Sequence, residues 1–285
     1  MGQIYNRKTK LLYEDVQYKQ NAMNFLYNTV PGRICLRLVI CPTLSKIYGL
    51  YMKTPISKIH IKTFIEHNHI DMSRYEDRDF KSFNDFFTRR LKNLNIESDS
   101  RRMVSPADSK LLVYSINNDL TIKVKHGIYT IPELIGHDDA EAMHSYEGGH
   151  CLIFRLAVDD YHRYHFPIDG RMLRKEFIKG RLHTISSFSE KYKAFCRNSR
   201  VCNYIETAAG NMTIIEVGAM FVGKIVNKEC VEFKKGQEKG WFEPGGSTIV
   251  ILTGPNIDVD KDIIENSSKG IETKVECGEG IASVR

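Results

Sequence analysis

Thr248-Ile249-Val250-Ile251-Leu252, and upstream of it Met212-Thr213-Ile214-Ile215-Glu216-Val217, read as strands. Side chains branched at Cβ are stiff in a helix and pack well on a pleated surface. The same texture recurs in Leu111-Leu112-Val113-Tyr114, Leu120-Thr121-Ile122-Lys123-Val124 and Cys151-Leu152-Ile153-Phe154, with Gly, Asn and Asp turns between. Strands therefore dominate from about Met103 to the end. Upstream the pattern is helical. Arg33 and Arg37 are four apart and share a helix face, and Pro42 cannot sit inside that helix, so it opens a second one. There Leu44, Ile47, Tyr48 and Tyr51 fall at i, i+3, i+4 and i+7. Ser82 then caps a helix carrying Phe83, Phe86, Phe87 and Leu91. The fold class is α+β, with an amino-terminal helical part followed by a β-rich catalytic core.

The composition excludes whole classes. With 285 residues, 42% hydrophobic, 27% charged, 20 glycines and 8 prolines, the chain is neither disordered nor collagen-like. No apolar stretch approaches the roughly 18–20 residues of a spanning helix. Tyr5-Asn6-Arg7-Lys8-Thr9-Lys10 is followed by no signal-type run, so an intracellular, non-transmembrane protein is expected. Residues 1–62 hold ten Lys/Arg against Glu14 and Asp15, a net +8, so the rest carries −2 of the chain's +6. Such a distribution argues against a nucleic-acid protein basic throughout and points to an amino-terminal region, 1–62, that seeks an anionic surface. A basic, apolar helix pair suits a membrane surface, and it equally suits a hairpin packed on the remaining domain, 63–285. Seven scattered cysteines without a CxxC pair suggest neither a zinc ribbon nor a disulfide framework.

Three segments place chemistry-bearing side chains beside strands. Asp108 ends Val104-Ser105-Pro106-Ala107-Asp108, where an acid after a Pro-fixed turn is ordinarily a cap. His162 and His165 lie in Tyr161-His162-Arg163-Tyr164-His165-Phe166-Pro167 without a companion ligand at metal spacing, so proton transfer is the better use of them and no metal is expected. Gly245-Gly246-Ser247-Thr248 leads into the strand at Ile249; as a bare motif it is a hairpin turn, and it is not the G-x-S-x-G of a nucleophile elbow. Asp108, a histidine and Ser247 could form a hydrolase triad acting on lipid esters. A non-enzymatic peripheral lipid-binding protein is a further reading.

Taken in order, these stretches resemble the phosphatidylserine decarboxylase family of self-processing pyruvoyl enzymes, in its clostridial form. The resemblance runs through Phe83-Asn84-Asp85-Phe86-Phe87-Thr88-Arg89-Arg90-Leu91-Lys92, Ser105-Pro106-Ala107-Asp108 and Tyr161-His162-Arg163-Tyr164-His165. It continues through Asn198-Ser199-Arg200, Val217-Gly218-Ala219 and the Lys235–Thr248 segment. Ser109 stands where the family usually has glycine, and Ser199 where it commonly has glutamate.

The resemblance implies that Ser247 Oγ attacks the carbonyl of Gly246, with His165 as base oriented by Asp108. The chain is then cut into a large part, 1–246, and a small part, 247–285, capped by a pyruvoyl group derived from Ser247. That group is the cofactor implied, an electron sink for decarboxylation of phosphatidylserine to phosphatidylethanolamine. His162 is implied as the acid that protonates the resulting carbanion. The partners implied are phosphatidylserine in anionic membranes, the two parts of the same precursor, and a second copy of the chain in a homodimer. The expected location is the cytoplasmic face of the cell membrane, bound peripherally.

Overall fold

Thr248–Leu252 lies near the centre of a long, twisted sheet. The computed structural model describes residues 2–15, 20–117, 119–124, 127–137, 143–184, 193–222, 224–245 and 247–285. The chain opens with β1 (Gln3–Asn6) and β2 (Leu11–Glu14), then α1 (Gln20–Asn28), α2 (Val30–Val39), α3 (Pro42–Met52), α4 (Ile59–His67) and the short α5 (Phe83–Phe87). Next come β3 (Arg102–Val104), β4 (Ser109–Ser115), β5 (Thr121–Val124), β6 (Gly127–Thr130) and α6 (Ile131–Ile135). They are followed by β7 (His150–Leu156), β8 (Arg163–His165), β9 (Gly170–Ile178) and α7 (Ala194–Arg197). Then come β10 (Arg200–Thr207), β11 (Gly210–Gly218), β12 (Ile225–Asn227), β13 (Glu232–Phe233), β14 (Glu238–Phe242) and β15 (Ser247–Thr253). The chain closes on β16 (Ile257–Val259), α8 (Lys261–Ser268), β17 (Glu272–Val275) and β18 (Gly280–Val284).

The large sheet runs β13-β9-β10-β11-β15-β7-β4-β17-β1-β2, antiparallel at every pairing except β1 with β17. Two short sheets, β12-β14-β8 and β16-β18-β3, and the β5-β6 hairpin complete it. Both faces of the centre are covered, which is why β15 is apolar without alternation. Ile249 and Ile251 join one core with Phe154, Phe166 and Phe242, while Val250 and Leu252 join the other with Ile131, Ile135 and Tyr146. An α+β fold with a β-rich core is what the strand pattern predicted.

The helix expected at Ser82 begins there, the Ser82 hydroxyl accepting from the Asp85 N–H at 3.2 Å. It is shorter than expected and does not reach Leu91, which bridges Tyr75. Arg89 lies just beyond it. That side chain is buried with its guanidinium over the Tyr75 and Phe86 rings, at 4.2 and 4.8 Å, and donates to the Asp159 carbonyl. The division expected after residue 62 falls inside α4, because a change of charge marks a surface and not the end of an element.

Pro42 opens α3 as expected. The helices turn an unusual side outward. On α2, Gly32 and Leu36 are buried whereas Val30, Ile34 and Leu38 are 64–68% exposed. On α3, Ser45, Gly49 and Met52 are buried whereas Leu44, Ile47, Leu50 and Tyr51 are exposed. Small residues let the helices approach the core closely. Apart from Leu36, Met52 and the half-buried Val39 and Tyr48, their large apolar side chains, Leu44, Ile47 and Tyr51 included, face away from it.

Candidate active site

Six strand ends meet at one end of the large sheet. Ser247 opens β15 and pairs on one side with Gly218, the last residue of β11, and on the other with Leu156, the last of β7. Lys110 pairs with Arg155 and Ser109 with Val275, which brings the start of β4 and the end of β17 to the same edge. Arg200, opening β10, pairs with Val217. The loops gathered there are Ser105–Asp108, Ala157–His162, Asn198–Ser199, Ala219–Val222, Glu243–Gly245 and Glu276–Cys277. Stretches scattered over most of the sequence thus converge, each placed by the strand it adjoins.

Ser247 is buried, and among the described residues its Oγ has no hydrogen-bond partner. Gly245, two residues earlier, has φ +142°, and a Cβ there would lie 2.5 Å from the Val222 nitrogen. Only glycine allows this close approach between the loops. Gly246 lies outside the described residues. Asn198 secures the neighbouring strand end: its Nδ2 donates to the carbonyls of Gly218 and His183, both at 2.8 Å, and its Oδ1 accepts from the His183 N–H at 2.9 Å.

His162 precedes β8. Its carbonyl accepts from the Phe242 N–H at 3.0 Å, and its ring lies 4.1 Å from that of Phe87. Nδ1 is 2.9 Å from the Asp160 carbonyl oxygen, which can only accept, so Nδ1 carries the proton and Nε2 the lone pair. Nε2 is buried without a partner among the described residues. Burial pushes this imidazole down to about 3, so it is neutral at pH 7. Its carbonyl partner is held rigidly, because the Asp160 carboxylate takes Lys110 Nζ at 2.7 and 2.8 Å and the Ala157 N–H at 2.7 Å.

His165 ends β8, opposite Glu238, and its N–H donates to the Pro106 carbonyl at 2.8 Å. Burial pushes it down to about 4. Two histidines three apart would face opposite ways on a regular strand. The ladder between β8 and β14 has an irregularity between Glu238 and Gly240, and His162 stands just before the paired residues. Asp108 is buried; its Oδ2 accepts from Arg74 at 3.0 Å and its Oδ1 from the Cys277 N–H at 2.9 Å. Burial raises its carboxyl, against the pull of Arg74. A direct Asp108–His165 hydrogen bond was expected, and the described contacts contain none. Cys277 stands between the two, its Sγ 3.2 Å from His165 Nδ1.

Sequence reasoning missed Arg74, Lys110, Asp160 and Cys277. None sits in a recognisable motif; register and packing deliver them. Among the described residues no group of His, Cys, Asp and Glu could hold a metal ion. The buried serine that opens a central strand and the loop that carries the neutral His162 thus reach the same end of the sheet.

The model of the phosphatidylserine decarboxylase family matches residues 83–283, which takes in every loop at this end of the sheet. The chain belongs to the phosphatidylserine decarboxylase family. Its similarity to curated members extends over nearly the whole length. It is 45% identical to phosphatidylserine decarboxylase proenzyme 2 of Clostridium acetobutylicum, over 98% of this chain and 97% of that one. It is 38% identical to the phosphatidylserine decarboxylase proenzyme of Fusobacterium nucleatum, over 97% and 96%. For the proenzyme of Clostridium beijerinckii the figure is 37%, over 99% of each. These relatives favour the decarboxylase reading and lend no support to a serine hydrolase or to a lipid-binding protein without activity.

Proposed function

We propose that this chain cuts itself before Ser247 and then decarboxylates phosphatidylserine to phosphatidylethanolamine. The observation that carries the reading is Ser247 itself: a buried hydroxyl without a partner among the described residues, at the first position of a central strand, two residues after a glycine that no other residue can replace. A free Oγ there can attack the carbonyl carbon of residue 246 while the Ser247 nitrogen leaves, converting an amide into an ester. His165 Nε2 takes the hydroxyl proton. Loss of the Ser247 Cα proton expels the ester carboxylate and parts the chain, and hydrolysis with loss of ammonia leaves pyruvoyl at position 247.

The residues present fit that group, which lacks the charge and bulk of a separate cofactor and occupies only the place of the serine. It supplies an electron sink when carbon dioxide leaves. Around it the side chains hold and move protons. His162 enters with its Nε2 unprotonated, so it acts as base before acid: it takes a proton from the substrate ammonium and later returns one to the serine Cα. Phe87 and the buried Tyr161 keep water from it.

The outward apolar faces of α2 and α3 support a peripheral location at the inner face of the cell membrane. Ile34, Leu38, Ile47 and Leu50 would enter the head-group boundary, and exposed Arg33, Arg37, Lys46 and Lys58 would meet anionic lipid. No single described helix is long and apolar enough to cross a membrane, and α2 and α3 are bent by 65° at their junction. The helices reach the site: Lys53 pairs with Glu243 at 2.7 Å, and Tyr48 packs on Phe221.

Intact-mass analysis of the purified protein tests the reading. Fragments 1–246 and 247–285 are expected, the smaller lighter by one ammonia than a serine-ended peptide, and Ser247→Ala should remain one inactive chain. A single full-length species for the unaltered protein, or cleavage of Ser247→Ala, would overturn it.

A further inference from the structure

Cys277 lies two residues beyond β17 and makes three contacts at the buried end of the sheet. Its N–H donates to Asp108 Oδ1 at 2.9 Å, its Sγ is 3.4 Å from the Pro106 carbonyl oxygen, and the same Sγ is 3.2 Å from His165 Nδ1. The Pro106 oxygen takes the His165 N–H at 2.8 Å and has a second lone pair within reach of the thiol, and in the arrangement proposed below the thiol proton goes there. The sulfur lone pairs are then left to accept from the imidazole. The order becomes Nδ1–H to sulfur, then S–H to oxygen. Burial pushes the thiol well up, so the sulfur keeps the proton this order requires.

We propose that Cys277 is a positioning residue that holds His165 in its Nδ1–H tautomer, leaving Nε2 as the atom able to take a proton. Asp108, carrying Arg74, acts one step further back: it fixes the Cys277 backbone and does not touch the imidazole. Tyr161, stacked on the His165 ring with centroids 6.1 Å apart, limits rotation of that ring. Cys277 belongs to the 247–285 segment, so the residue that orients the base lies in the same segment as the serine. The assignment of His165 as the base for Ser247 rests on the function proposed above. The tautomer does not.

Nitrogen-15 NMR of histidine-labelled, full-length Ser247→Ala protein reads the tautomer directly, with His165 identified by its loss in a His165→Gln derivative. The Nδ1–H form is expected with Cys277 present. In the Cys277→Ala derivative Nδ1 loses its sulfur partner, and the signals should move toward the Nε2–H form. Cys277→Ser, which keeps a donor and an acceptor, should retain the original pattern; it also carries the test if the alanine variant does not fold. In chains that retain Ser247, self-cleavage should slow about 10-fold for Cys277→Ala and by less than about 3-fold for Cys277→Ser, because a misplaced proton must shift before the base can act. An Nε2–H tautomer in the Cys277 protein, or an unchanged tautomer in folded Cys277→Ala, would overturn the proposal. Absence of self-cleavage with the expected tautomer would instead count against the proposed function alone.

Discussion

Two histidines, three residues apart, are separated by their surroundings more than by their chemistry. His165 is held down at about 4 by burial, with Cys277 Sγ 3.2 Å from its Nδ1, while His162, at about 3, sits on Phe87 with an Nε2 that has no partner among the described residues. A lowered folded value means that each ring stays a free base as the pH falls through 6.5, where an exposed histidine would charge. The self-cleavage rate of newly made precursor should therefore be level from pH 8 to about 5 and drop only as the pH approaches 4; a half-maximal point near 6.5 would show an exposed base instead. His165→Ala should accumulate full-length chain. His162→Ala should still cleave and then turn over lipid on the order of 100- to 10,000-fold more slowly, measured on the same preparations. Singly, Asp108 reads as a cap and Ser247 as part of a hairpin turn; these two, His162 and His165 stood out only together, and their roles are what the family resemblance implies. Cys277 was not legible, since a buried thiol looks the same in sequence whether or not it touches an imidazole.

Elements were legible where one kind of surface covered them. β15 and β11, buried on both faces, announced themselves by runs rich in β-branched residues. The α5 helix misled because its apolar spacing continues to Leu91, whereas the helix ends at Phe87 with Thr88 as its cap, and Arg89 beyond it is anchored on Tyr75 and the Asp159 carbonyl. For α2 and α3 the periodicity was right and the direction of the apolar stripe was open; the structure turns it outward. Replacing Arg33, Arg37 and Lys46 with Gln should weaken binding to phosphatidylserine vesicles by about 10- to 100-fold at low salt, each contact contributing about 1 kcal/mol or less. The deficit should shrink at high salt because the interaction is screened. Lys53 is left unaltered, being tied to Glu243 beside the cleavage loop. Equal vesicle binding by the triple variant at low salt, followed by sedimentation, would remove these helices from the membrane.

At the scale of the molecule, the segment 247–285 is woven into the sheet. β15 has β11 on one side and β7 on the other, and β17 lies between β4 and β1. Arg7 in the opening turn adds contacts to Asp260, Asp262 and Glu279 at 2.8–2.9 Å. A cut before Ser247 should leave the two parts in one body. Gel filtration in native buffer should show them co-eluting, with separation only in denaturant, and Arg7→Ala should lower the denaturant midpoint. Separate elution in native buffer would contradict this arrangement.

Ser247 reaches its place only when β15 has been laid between β11 and β7, two strands whose last residues are Gly218 and Leu156. On the proposed mechanism, a chain that has mispaired these strands has no serine at the sheet end and keeps its backbone whole. The break is thus a molecular receipt, issued once and only to chains that have completed assembly. It also makes the event one-way: a processed molecule that later unfolds must find its partner again as two separate chains, at a cost in entropy that the newborn chain never faced.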